Sequence, residues 1–229
     1  MKRFLSAIVA TALTAAVAQA QVLNFEGINS TYPSGFAFVN GFYNGGTSSD
    51  GTTGANFGIQ FSSNAQAICL NSLTVSCSNT SRGGLGNPTS RQGGLFFLGG
   101  TETFMNRAAG FTTGFSFFYS AFSSGGSFAV WSGLNGTGIL LASLNLGTNG
   151  GSCPGYGAAF CPFTAAGVAF AGTAQSVVFA GAANQIVFDD VTFGSSTPDN
   201  VVPEPATVVL MGTGLLALGA VARRRRANA

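Results

Sequence analysis

Ala129-Val-Trp-Ser-Gly-Leu-Asn-Gly-Thr-Gly-Ile-Leu-Leu-Ala-Ser-Leu144 decides the fold class. Two apolar, β-prone segments flank a cluster of glycines, which is the pattern of strand, tight turn and strand. Gly133, Gly136 and Gly138 also look like a phosphate-binding loop. No Lys-Ser or Lys-Thr pair follows them and no helix pattern opens there, so the hairpin reading is preferred.

Outward from that hairpin the same grammar repeats. Short apolar segments between glycine-rich turns run over Val22 to Phe25, Phe36 to Tyr43, Phe57 to Phe61, Leu95 to Leu98, Gly114 to Tyr119, Phe128 to Trp131, Ile139 to Leu146, Ser176 to Phe179 and Ile186 to Phe193. None has the capped 3.6-residue periodicity of a surface helix. The expectation is an all-β jelly roll or β-sandwich. Gly45 to Gly54 and Ser78 to Gly94 read as exposed loops.

The ends are of another kind. Lys2 and Arg3, an apolar stretch from Phe4 to Val17 and Ala18-Gln19-Ala20 form the three parts of a secretory signal peptide, so residues 1–20 are expected to be removed. At the far end Val202-Pro203-Glu204-Pro205 precedes seventeen uncharged residues, Ala206 to Ala222, and then Arg223, Arg224, Arg225 and Arg226. Seventeen residues make a helix of roughly 26 Å, which crosses a membrane if the bilayer thins or the arginines snorkel. Four arginines hold that end in the cytoplasm and place the chain before Pro203 outside.

This order of parts resembles the PEP-CTERM sorting signal of Gram-negative bacteria. The resemblance implies a tail, residues 201–229, that is an address: Val202 to Pro205 as sorting motif, 206–222 as transmembrane helix, 223–229 as basic cytoplasmic end. It implies recognition by an exosortase in the inner membrane, a periplasmic stage, and release or transfer to the cell surface or exterior. The same signal occurs on some ice-binding proteins, so it does not by itself choose a function.

Between the ends lie residues 21–200, one domain's worth of chain. They hold three basic residues (Arg82, Arg91, Arg107) and six acidic ones (Glu26, Asp50, Glu102, Asp189, Asp190, Asp199), so the overall +2 belongs to the ends. Such a surface excludes a nucleic-acid partner, which needs many cations to displace counterions. There is no histidine, which removes Ser-His-Asp and Cys-His chemistry and His-ligated zinc.

Cys69, Cys77, Cys153 and Cys161 form two pairs, each eight positions apart. In an exported chain they read as disulfides, with three connectivities open and local pairing preferred over a four-thiolate zinc site, whose ligand pairs are spaced more closely.

The opening Leu23-Asn-Phe-Glu-Gly27 and closing Ile186-Val-Phe-Asp-Asp-Val-Thr-Phe193 are similar to many PEP-CTERM ectodomains and to jelly-roll carbohydrate-binding modules. That resemblance implies that the first and last strands pair and that acids near them hold a structural calcium. Glu26, Asp189 and Asp190 are the ligands it points to, carboxylates being the oxygen donors that calcium takes. Strand alternation, in contrast, sends Asp189 and Asp190 to opposite faces with at least one solvated. The same acids could serve a glycosidase, but no cleft is indicated. Trp131, Tyr119 and Tyr43 are candidates for stacking on sugar rings, or for core.

The expected function is non-enzymatic: a surface or matrix component associated with exopolysaccharide and able to bind carbohydrate. An extracellular hydrolase and an ice-adhesion module are the alternatives; regular Thr-x-Thr arrays would favour the latter, and only Thr101-Glu-Thr103 is present.

Overall fold

The computed structural model describes residues 21–29, 36–70, 93–153 and 156–198, with backbone alone at 152–159. The signal segment 1–20, Cys77 and the tail 201–229 with its expected membrane helix lie outside the described residues. Among the described residues no helix is long and apolar enough to cross a membrane.

The described chain is all β, in two main sheets and a small hairpin. The larger sheet contains β1 (Gln21–Leu23), β2 (Phe36–Phe38), β4 (Gln66–Cys69), β5 (Gly93–Phe96), β7 (Gly114–Ala121), β12 (Thr164–Ala169) and β14 (Ile186–Phe193). Its order is β12-β7-β14-β5-β4-β2, with β1 joined to β14. The five-stranded sheet runs β3 (Ile59–Phe61), β6 (Glu102–Phe111), β13 (Ala174–Gly181), β8 (Gly126–Trp131) and β9 (Leu140–Leu146). The hairpin is β10 (Gly151–Cys153) with β11 (Tyr156–Ala159).

Phenylalanine builds the space between the two sheets. Phe115 and Phe117 on β7, Phe128 on β8, Phe179 on β13 and Phe188 on β14 are fully buried. Their rings meet edge-on or tilted, with centroids 4.8 Å apart for Phe117–Phe128 and for Phe179–Phe188. Each such pair adds about 0.5–1.5 kcal/mol to the burial of its rings. On the far side of the larger sheet a second cluster gathers Ile68, Leu70, Phe96, Phe160 and Val187. Strand β14 therefore presents Phe188 to one core and Val187 to the other, and all eight of its residues are buried. Parity, not overall hydrophobicity, separates the two sets.

Several expectations need revision. The segment expected as one strand from Phe36 to Tyr43 stops at Phe38 and ends in a 3-10 turn at Phe42–Asn44. Gly93 and Gly94, expected in a loop, belong to buried β5. The turn after Trp131 is not tight: it extends to Ile139 and contains a 3-10 turn, Leu134–Gly136.

Candidate functional site

The first and last strands do pair. Gln21, Val22 and Leu23 lie antiparallel to Phe193, Thr192 and Val191. Just before that ladder β14 is bulged between Asp189 and Thr192, and Asp190 takes φ 45°. Both faces of β14 are covered, so Asp189 and Asp190 are both buried, neither being solvated. Asp190 N donates to Asp189 Oδ1 at 2.7 Å, and Thr192 Oγ1 donates to Asp190 O at 3.0 Å. Glu26 Oε1 accepts from Gly93 N at 2.9 Å on neighbouring β5. Among the described residues no group of three or more His, Cys, Asp or Glu is arranged to hold a metal ion. The calcium expectation for Glu26, Asp189 and Asp190 thus draws no support from their geometry.

Two of the three candidate stacking residues are core. Tyr43 is 4 % exposed, its ring packed against Phe25, Phe42 and Phe57, and its hydroxyl accepts from Phe25 N at 2.9 Å. Tyr119 is 8 % exposed and touches Phe117 edge-on. Both lie in the main core, Tyr119 from strand β7 and Tyr43 from the 3-10 turn Phe42–Asn44, so they are withdrawn as ligand contacts.

Trp131 is different. Phe128 and Val130 on β8 point into the core, so Trp131 falls on the outer face of the five-stranded sheet, where it is partly exposed. Register then sets a row across that face: Gln60 opposite Asn106, Asn106 opposite Ser176, Ser176 opposite Trp131, Trp131 opposite Leu140. With strands about 4.8 Å apart, Gln60 and Trp131 stand about 14 Å from each other.

The loop after Trp131 folds back over the middle of this row. Asn135, Gly136 and Gly138 have φ of 55°, 67° and 82°, the left-handed values that glycine and asparagine adopt most readily. Ser176 Oγ donates to Gly133 O at 2.6 Å and accepts from Gly136 N at 2.9 Å, which fixes the loop to the sheet. Asn106 and Asn135 clasp each other: Asn106 Nδ2 donates to Asn135 Oδ1 and Asn135 N donates to Asn106 Oδ1, both at 2.8 Å. A Cβ on Gly136 would come within 2.8 Å of Val178 and 3.2 Å of Phe104, so the loop lies close on the face. The result is a surface of amides, Gln60, Asn106 and Asn135, bordered by an indole whose Nε1 is buried and makes no hydrogen bond. Amides offer both donors and acceptors, and an indole edge offers apolar area.

Sequence reasoning found Trp131 and missed the amides. Gln60 and Asn106 carry no local signal; only the cross-strand register brings them to Trp131's row.

Cys69 and Cys161 are fully buried, and among the described residues no cysteine is a free thiol. Cys77 and the side chain of Cys153 fall outside the described residues.

No curated protein matches the chain. Among solved structures the chain is similar to a carbohydrate binding module, CBM6cm-2, from Cellvibrio mixtus lichenase 5A in complex with cellotriose. The TM-score is 0.35 and the identity 10 %, over 58 % of this chain and 88 % of that one, a superposition too loose to carry an argument about ligand. Residues 201–226 match the PEP-CTERM protein-sorting motif. The chain is thus an exported protein with a C-terminal PEP-CTERM sorting signal attached to an all-β ectodomain.

Proposed function

We propose that the protein is a non-enzymatic component of the cell surface or extracellular matrix, handled by an exosortase and associated with exopolysaccharide. The observation that carries the reading is the sorting motif at 201–226, which commits the ectodomain to an extracytoplasmic destination. The glycan contact we assign is the outer face of the five-stranded sheet. Trp131 supplies apolar area toward one end of the row, Asn135 Nδ2 supplies donors to hydroxyls, and the remaining lone pairs of the Gln60 and Asn106 amide oxygens supply acceptors.

Because the row of contact residues from Gln60 to Trp131 holds no ionic group, binding should be nearly the same at low and high salt. The test is retention of the exported protein on the host's own exopolysaccharide at two ionic strengths, with reducing-end release followed in parallel. Trp131→Ala should weaken retention about tenfold, the loss of roughly 1.4 kcal/mol, while thermal unfolding reports whether the variant is folded. Sugar release above a heat-killed control would turn the reading to a hydrolase. Absence of retention at both salts, or a folded Trp131→Ala variant that binds normally, would refute the glycan face.

A further inference from the structure

Strand β9 is the last strand of the five-stranded sheet and, among the described residues, bonds only to β8. Strand β12, the edge of the other sheet, lies beside it but shares no ladder with it. From Ala142 to Leu146 no hydrogen bond to any other element is present among the described residues. Such an edge offers a row of N–H and C=O groups that only another extended strand can pair in full.

Proteins usually guard an edge of this kind with lysine, proline or a bulge. Here a bulge occurs only at the start, between Val130 and Trp131 on the paired side, and from Ala142 onward the register is regular. There is no charge and no proline in Leu140–Leu146. Exposed leucines line it instead: Leu140 is 48 % exposed and Leu144 39 %. The absence of charge extends much further, since no Asp, Glu, Lys or Arg occurs between Arg107 and Asp189.

We infer that β9 pairs antiparallel with β9 of a second copy of this chain, joining two five-stranded sheets across a two-fold axis. Two observations select a second copy. Identical surfaces normally repel through their like charges, and this edge has none, while a charged partner would find no counter-charge on it. The strand is also self-complementary. With the axis at Leu144, each Leu144 faces its twin, Ala142 faces Leu146, and Ser143 faces Asn145, so apolar meets apolar and polar meets polar. The ladder supplies direction, and the two Leu144 side chains covering each other supply apolar burial.

The experiment is sedimentation of the full chain in mild non-ionic detergent. The wild type should be a dimer. Leu144→Lys and Leu144→Glu, which place like charges face to face at the axis, should each raise the dissociation constant about tenfold or more. An equimolar mixture of the two should restore the dimer, which misfolded variants could not do. Ile139→Lys, at a position 70 % exposed and before the ladder, should leave the dimer intact. A Leu144→Cys variant should form a disulfide between its own copies under mild oxidation. A monomeric wild type, a dimer that survives both charged variants, a mixture that stays monomeric, or a Leu144→Cys chain that does not cross-link would each overturn the pairing.

Discussion

Gly93 is one of the tightest points of the larger sheet. A Cβ there would lie 2.2 Å from the carbonyl oxygen of Phe25 and 2.9 Å from Glu26 N, both backbone atoms that cannot swing away. Gly93→Ala should therefore destabilise by about 3 kcal/mol, since the chain after β1 must move off β5. Gly99→Ala, with nothing within 4 Å, should change stability by no more than about 0.5 kcal/mol. Urea unfolding of the two variants separates them; equal midpoints would contradict the packing. At this scale little was legible in advance. The Ile186 to Phe193 segment reads plainly as a strand, but nothing in Asp189-Asp190 announces a bulge, because aspartate adopts extended as well as positive φ and the choice is made by pairing with β7. Phe25 at φ 54° was equally invisible: a bulky residue at positive φ is held there by Tyr43 and by burial, both remote in sequence.

Among elements, the loop over the five-stranded sheet depends on one hydroxyl. Ser176 Oγ is the group that bonds Gly133 O and Gly136 N, and its residue is fully buried. Ser176→Ala leaves both backbone groups without that partner and should cost about 1–3 kcal/mol. The amide of Gly136 should exchange hydrogen markedly faster in the variant, while those of β13 and β8 stay protected; unchanged protection of Gly136 would refute the latch. The strands that sequence reasoning identified are those rich in Phe, Val, Ile and Leu. Those it passed over have physical reasons for silence. Strand β6, ETFMNRAAGF, mixes charge, amide and small residues because its outer face carries Glu102, Asn106 and the loop. Strand β12, TAAGVA, has little β-propensity, and its ladder with β7 decides its state. The glycine pattern after Trp131 reads as a hairpin connection and does join β8 to β9, but its return onto the sheet depends on Ser176 and Asn106, which no local window contains.

For the whole molecule, the sorting motif predicts a mature product without its arginine end, and the signal pattern predicts one that begins at Gln21. Intact mass of the native extracytoplasmic product should exclude residues 1–20 and Arg223 to Arg226; a mass that includes the arginines would contradict the sorting reading. The same product, mapped by peptides without reduction, should join Cys69 to Cys77 and Cys153 to Cys161, short loops worth about 2–3 kcal/mol on the chain-entropy model. A peptide joining one pair to the other would exclude that pairing. The architecture also carries an order of events. Strand β14 is central to the larger sheet, with β7 along one side and β5 and β1 along the other, yet it is the last of the described strands to be synthesised. Until residue 193 has been made, the first strand has no ladder and Phe117 and Phe179 lack their contacts with Phe188. The sandwich can therefore complete itself only when synthesis has come within a few residues of the sorting motif, so that closing of the fold and appearance of the sorting signal follow one another closely along the growing chain.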